Sequence, residues 1–300
     1  MENISKLLGD SAAIKANRKL IKQFRQSETN VLIQGPAGTE KEQIAYLLHQ
    51  QSSRKSGPFI SLVCAQLSDE EIISKLTCTT GAVSNSSDGT LFIADIDKLP
   101  KKAQEFLLHI IDAKEFHPDE KQAALAIELR LIGASEQDLA TLVQKRLFHE
   151  DFYYRLRGYI LDLPALAKRK EDISCIVKHE LAQLNKTHQA NKFFSTEAMN
   201  AICQHDWPGN IFELNLNIAH AFEASDDEQI KMGDLPAQLS GIDEEGSISL
   251  DDIDDMKELE RLMIERTLKT HKNDPRRAAK RLKMGLSTLY RKMQTYKIER

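Results

Sequence analysis

Residues 31–42 read Val-Leu-Ile-Gln-Gly-Pro-Ala-Gly-Thr-Glu-Lys-Glu. A short apolar strand (Val31, Leu32, Ile33) runs into Gly35, Gly38, Thr39 and Lys41, and a helical pattern follows from Glu42. That is the layout of a phosphate-binding loop, in which glycines let backbone N–H groups close around a polyphosphate and a lysine neutralises it. One position departs from it. Beside the lysine, where a working loop has its second obligatory glycine, stands Glu40, which brings a Cβ and a carboxylate to a cradle built for anions.

Outward from the loop, strand and helix patterns alternate. Ile4 to Phe24 suits a helix, as do residues 42–50, Glu70–Leu76 and Pro100–Ala113, the last with Phe106, Leu107, Ile110 and Ile111 at helical spacing. Phe59–Val63, Gly89–Ile96, Glu128–Ala134 and Tyr159–Leu163 read as further strands, and the polar Thr77–Asp88 as a loop. The alternation predicts an α/β fold, a mainly parallel sheet covered on both faces. After Pro164 the strand signal ends, and residues 170–186, 195–205 and 210–224 read as helices, with Pro208-Gly209 as the break and Asn210 as an N-cap. Ser240–Ser249 has a linker's composition; a helix from about Asp252 to Thr270 and a basic helix pair follow. The expected units are 1–166 (α/β), 167–239 (helical), 240–250 (linker) and 251–300 (all-α).

The 300 residues are 41% hydrophobic and 29% charged, as in an ordinary globular protein. No apolar run approaches the ~20 residues of a bilayer span, and the N-terminus MENISKLLGD lacks a signal peptide's basic-then-apolar order. The four cysteines (Cys64, Cys78, Cys175, Cys203) show no C-x-x-C spacing, so neither a metal site nor a disulfide is expected and a cytoplasmic setting is. The net charge of −4 is unevenly placed: residues 266–300 carry +10 and the first 265 carry −14. An acidic body with a basic end suggests a nucleic-acid-binding terminus.

The segments GPAGTEKE, GTLFIADIDKLP, FHEDFYYRL, LPALAKRKEDI and WPGNIFEL, in that order, resemble the AAA+ module of NtrC-type, sigma-54-dependent enhancer-binding regulators over about residues 7–235. The resemblance implies an AAA+-like P-loop core followed by a helical lid. It also fixes where the functional residues should fall. Where relatives have an Asp-Glu pair after the third strand, to hold Mg²⁺ and orient water, this chain has Ala94-Asp95. The polar sensor position is Glu136, one trans-acting arginine is His149 while Arg155 keeps the second, and the lid arginine is Phe212. Loss of one arginine finger costs about 10³–10⁵ in rate in comparable sites. Gly35, Gly38, Thr39, Lys41, Asp95 and Arg155 are therefore expected to be a vestigial nucleotide site, with no hydrolysis, no catalytic residue and ATP binding doubtful. Thr77–Asp88 is about half as long as the family's segment carrying the GAFTGA loop, which touches sigma-54, so remodelling of sigma-54 polymerase is not expected.

The end of the chain, NDPRRAAKRLKMGLSTLYRKMQTYKI, resembles the Fis-type helix-turn-helix that closes such regulators. Ala278-Ala279 would let two helices cross closely, and Leu282, Met284, Leu289 and Met293 would fill the core between them. Ser287, Thr288, Tyr290, Arg291 and Lys292 fall on or beside the recognition helix, which enters the major groove. Arg276, Arg277, Lys280, Arg281 and Lys283 can reach phosphates. Lys283-Met284-Gly285 replaces the usual Gly-Ile-Ser turn. The expected protein is a sequence-specific transcription regulator with double-stranded DNA and RNA polymerase as partners. A homodimer could form through the Leu259, Leu262, Met263, Arg266 stripe. The resemblance begins within ten residues of Met1, so no receiver domain is expected, and any signal would enter through the AAA+-like body or a partner protein. Two alternatives stand beside this: an ATP-driven sigma-54 activator, and a body that senses a nucleotide second messenger such as cyclic di-GMP through Arg155, Arg157 or Arg169.

Overall fold

A computed structural model describes residues 7–24, 26–116 and 125–236, and beyond these 239, 275, 289, 292, 293 and 296. The chain divides into two units, Met1–Leu235 and Pro236–Arg300. In the first, α1 (Ala12–Phe24) leads to β1 (Val31–Gln34), α2 (Lys41–Gln50), β2 (Phe59–Val63), α3 (Asp69–Thr77), α4 (Ala82–Asn85) and β3 (Thr90–Ala94). Next come α5 (Lys101–Ala113), the hairpin strands β4 (Glu115–Phe116) and β5 (Leu125–Ala126), β6 (Arg130–Ser135), α6 (Leu139–Gln144), α7 (Glu150–Leu156) and β7 (Tyr159–Asp162). The lid is α8 (Ile173–His188), β8 (Phe193–Phe194), α9 (Thr196–Gln204), α10 (Asn210–Ala224) and β9 (Gln229–Ile230).

Five strands form one parallel sheet in the order β2-β3-β6-β1-β7, with Val31 opposite Ile132 on one side and Tyr159 on the other. The strand period of two sorts the side chains. Val31, Ile33, Phe92 and Ile132 pack with Ile21, Ile44 and Leu48 of α1 and α2. Leu32, Leu91, Ile93 and Leu131 pack on the other face with Leu76, Leu107 and Phe152 of α3, α5 and α7. Both faces are dry, which is why the central strands read as continuous apolar runs. Because β1 sits between β6 and β7, the chain leaves its C-terminal end at the point where the strand order reverses, the usual place for a ligand crevice.

The expected sheet and helices are present, with several shifts. The first helix starts at Ala12, with residues 7–11 non-helical, because residues 9–11 wrap the buried carboxylate of Asp172. The backbone N–H groups of Asp10 and Ser11 donate to its Oδ1 (2.6 and 2.7 Å), and Ser11 Oγ donates to Oδ2 (2.6 Å). Gly9 has φ +121°, and a Cβ there would lie 2.4 Å from the carboxyl carbon. The third strand ends at Ala94 because Asp95 is left-handed (φ 54°) and opens a 3-10 turn. The fourth large strand is Arg130–Ser135 rather than Glu128–Ala134, and the predicted Thr77–Asp88 loop contains α4. Asn210 is not the N-cap of its helix; Gly209 holds that place and the Asn210 side chain is used elsewhere. A two-residue ladder, β8 with β9, lies beyond Pro164, where no strand was expected.

In the second unit Leu289 and Met293, both helical, are buried, as the expected small core requires. The linker, the 252–270 helix, the remaining helix-turn-helix and the proposed DNA-contacting side chains other than Lys292 lie outside the described residues. Among the described residues no helix is long and apolar enough to cross a membrane, and no group of side chains could hold a metal ion.

Asp172 is fully buried beside Arg169, itself 1% exposed and depressed in pKa by burial, with Asp172 as its main opposing charge. Removing one partner leaves the other charge buried and uncompensated. We therefore expect Asp172→Ala to lose about 3–5 kcal/mol in urea unfolding followed by the emission of Trp207, the chain's single tryptophan, which is buried with Nε1 donating to Ile202 O.

Candidate functional site

The loop between β1 and α2 keeps its glycines for reasons of packing. A Cβ on Gly35 would stand 2.6 Å from the Leu163 carbonyl oxygen. At Gly38 (φ +72°) it would stand 2.1 Å from the carbonyl oxygen of Gly209 in the lid. The buried Thr39 hydroxyl donates to Pro36 O at 2.8 Å. Glu40 adopts the left-handed conformation (φ 65°, ψ 34°) that a glycine would take without strain. Burial raises its carboxyl pKa, against the lowering influence of Arg169 and Gln43, and Glu180 adds to the rise.

Lys41 is turned back on its own loop. Its Nζ donates to Gly35 O (2.8 Å) and Pro36 O (2.9 Å) and lies 3.8 Å from a Glu136 carboxylate oxygen. Burial lowers its pKa, and Glu136, Asp95 and Asp97 oppose that. The next residue, Glu42, was not singled out in the sequence, yet its identity there was informative: phosphate loops carry a Ser or Thr at this place to bind Mg²⁺. Here the Glu42 carboxylate accepts from Ser61 Oγ at 2.8 Å.

These residues open onto a cleft of about 490 Å³ bounded by the loop, the ends of β3 and β6, and α10. Gly38, Thr39, Lys41, Asp95, Ala94, Glu136 and Phe212 all line it, so the structure brings most of the sequence-predicted positions together. Gly35 lies beneath, against Leu163. Arg155 is not part of the cleft in this chain. It pairs with Asp112 at 2.8 Å and lines a separate hollow with Glu28 and Arg54. His149 is also elsewhere, with its N–H donating to Gln104 Oε1 at 2.7 Å.

Asp97 is a second residue that the sequence reading passed over. Its side chain is 3% exposed and accepts from Ser135 Oγ (3.0 Å) and Gln137 Nε2 (3.2 Å), which fixes the segment carrying Glu136. The negative field at the strand ends is visible in the nearby Cys64 thiol, pushed up to about 12 by burial first and by Asp95 and Asp97 next. Asn210 was read as a cap. It is instead a clasp: Nδ2 donates to Ala37 O at 2.7 Å, Oδ1 accepts from Leu166 N–H at 2.8 Å, and the N–H of Phe212 donates to Gly38 O at 3.2 Å. Two loop carbonyls thus hold the lid.

A parallel five-stranded sheet with a phosphate-type loop at its switch point and a helical lid clasped over it defines an AAA+-type P-loop module. The sigma-54 interaction domain family matches residues 7–162, the AAA+ ATPase lid domain matches 167–249, and the bacterial regulatory proteins of the Fis family match 255–296. The chain belongs to the family of regulators built on the sigma-54 interaction domain. The regulatory protein AtoC of Escherichia coli is 30% identical over 98% of this chain and 68% of its own. The DNA-binding transcriptional regulator NtrC of Rhizobium meliloti is 33% identical over 69% of this chain and 46% of its own. The chain spans about half the length of several such relatives. The fold is shared with NtrX from Brucella abortus, crystallised in complex with ADP, at a TM-score of 0.74 and 24% identity over 98% of this chain and 70% of that one.

Glu40 combines left-handed strain with a carboxyl whose folded pKa lies above its unfolded value. The native state therefore binds the Glu40 proton more tightly, and the penalty is present when the group is ionised and fades as pH falls toward the ordinary value of 4.5. Glu40→Gly is expected to stabilise the fold by about 1 kcal/mol at neutral pH, the strain relieved less glycine's chain entropy. Glu40→Gln keeps the strain and is expected to gain only the separate ionisation penalty, present at neutral pH and lost as pH falls toward 4.5; urea unfolding of both variants across that range is the measurement.

Proposed function

We propose that this chain is a DNA-binding transcription regulator that works in the cytoplasm, on the nucleoid, with an AAA+ body that does not hydrolyse ATP. The supporting observation is the state of Lys41. Its ammonium is spent on Gly35 O, Pro36 O and Glu136, in a cleft where Ala94 stands at the metal-ligand place. A triphosphate entering there would meet Glu40, Glu42 and Glu136, and no carboxylate positioned like a Walker-B aspartate would hold its Mg²⁺. The short Thr77–Asp88 segment, which contains α4, supports a body that acts by contact or sensing rather than by remodelling that polymerase.

The DNA-binding part of the proposal rests on the Fis-family match at 255–296 and on the +10 charge of the last 35 residues. Two chains would present paired recognition helices to a twofold operator, with RNA polymerase as the protein partner. The ATP-driven activator is the second reading, favoured by the sigma-54 interaction domain match itself.

Two measurements separate these. Purified protein with MgATP should show no turnover above background, and Glu40→Gly with Ala94→Asp should restore nucleotide binding at most; metal-dependent turnover by the unaltered protein would overturn the proposal. In a DNA-shift assay against genomic fragments selected by the protein, Arg291→Ala should weaken the retained complex by about 1–3 kcal/mol and Lys280→Ala should weaken all sequences alike. DNA affinity unchanged in both variants would remove the helix-turn-helix assignment.

A further inference from the structure

We infer that the outer face of α1 is a contact surface for the phosphate backbone of double-stranded DNA. This contact rests on the DNA-binding reading above and adds to it a second, sequence-independent one made by the AAA+-type body. In AAIKANRKLIKQF the cations Lys15, Arg18, Lys19 and Lys22 fall at i, i+3, i+4 and i+7, the spacing that sets four side chains along one stripe of a helix. Ile14, Asn17 and Ile21 take the buried side, and the Asn17 amide donates to Asp162 O at 2.8 Å, which fixes the rotation of the helix. Lys15, Lys19 and Lys22 are exposed and Arg18 is half-buried. Beside them stand Ala12, Ala16 and Gln23, short or uncharged, so a long partner can lie close to the stripe.

The stripe is uncompensated within the body. Lys15–Lys19 and Arg18–Lys22 are like-charge pairs at i, i+4, which oppose helix formation. α1 holds no acidic residue, whereas α2, α5, α8 and α10, the other described helices of ten residues or more, each hold at least one. Among the described residues the ammonium groups of Lys15, Lys19 and Lys22 meet no carboxylate within ion-pair distance. Arg18 meets Asp10 at 3.5 Å, in the open. The first 265 residues carry −14, so this stripe gives an acidic body a face that a polyanion can approach. Its length suits a duplex. Seven residues of helical rise span about 10 Å, and DNA carries one charge per ~1.7 Å of axis, so about six phosphates lie along that length. A hollow of about 360 Å³ borders Arg18 and Lys22, but Lys15 and Lys19 lie outside its lining, so the whole stripe addresses a long polyanion rather than a small one. Because the basic residues 266–300 belong to the same chain, DNA held there is offered to α1 at an effective concentration of about millimolar order, at which a weak contact counts.

The test is a fluorescence-anisotropy titration of the full chain against a duplex of about 40 base pairs, at about 50 to 200 mM KCl. Lys15→Gln, Lys19→Gln and Lys22→Gln combined should flatten the slope of log K against log[KCl] by about 2–3 and lower affinity about tenfold. Lys15→Arg, Lys19→Arg and Lys22→Arg combined should keep the slope, since charge makes the contact. Lys75→Gln, Lys101→Gln and Lys102→Gln combined remove the same charge from exposed positions of α3 and α5 and should change the slope by less than about 0.5. The replaced side chains are exposed, so urea unfolding followed by Trp207 emission should match the unaltered protein. An unchanged slope in the α1 glutamine variant, or equal flattening by both glutamine variants, would overturn the inference. So would capture by phosphatidylserine vesicles that is lost in the α1 variant while its DNA slope is unaltered, which assigns the face to lipid. Absence of salt-dependent DNA binding by the unaltered protein would instead bring down the reading it rests on, so the two failures are distinguishable.

Discussion

The buried carboxylate of Asp172 is the constraint around which the body is assembled. A charge with no exposure survives only when hydrogen bonds and opposite charge replace its water. Residues 9–11 supply two N–H groups and a hydroxyl, and Arg169 supplies the positive charge. This single requirement ties the start of the chain to the base of the lid. Arg169 has no hydrogen-bond partner for its guanidinium nitrogens among the described residues, so its stability depends on field rather than on direct contacts. Glu40 is the second acid in that field. Glu40, beside Lys41 in the loop, thus also contributes to neutralising an arginine at the lid's foot.

That dual position explains how an acidic residue can be tolerated in such a loop. In an ordinary phosphate cradle, a carboxylate among converging N–H dipoles would compete with the ligand for the same donors. Here Glu40 is drawn toward Arg169 by charge and disfavoured by burial, and its raised pKa records that burial outweighs attraction. Lys41 shows the mirror-image balance, with burial lowering its pKa against three nearby carboxylates. Two opposite charges, each penalised by desolvation and each partly compensated, leave a site whose electrostatics are settled before any ligand arrives. The positive charge of Lys41 is shared with Glu136 in that balance.

Much of this was legible in residues 31–42 and the segments that resemble known regulators. The apolar runs of β1, β3 and β6 named a doubly covered sheet, and Glu40, Ala94, Glu136 and Phe212 line one cleft, as the resemblance implied. What was not legible depended on long-range contacts. Nothing local to residues 7–11 says that a helix must wait until Ala12; that is decided by Asp172, 161 residues away from Ser11. Asn210 carries a capping residue's local signal, but its amide finds partners in Ala37 and Leu166 that no window of sequence contains. Arg155 was grouped with the cleft by motif alone, and its ion pair with Asp112 places it on another face. Glu42 differs: the information was adjacent to Lys41, and only attention to the metal-binding hydroxyl of such loops would have used it.

The persistence of Gly35 and Gly38 is easily mistaken for persistence of nucleotide chemistry. Gly38 is required by the approach of the Gly209 carbonyl, and its own carbonyl is bound by the N–H of Phe212. Gly35 is required by the Leu163 backbone. Both constraints come from packing between loop, sheet and lid, and they hold whether or not phosphate is ever bound. Glu40 carries a torsional cost of about 1–3 kcal/mol for its left-handed backbone, together with the burial penalty on its carboxyl. Packing therefore accounts for Gly35 and Gly38 without reference to any ligand.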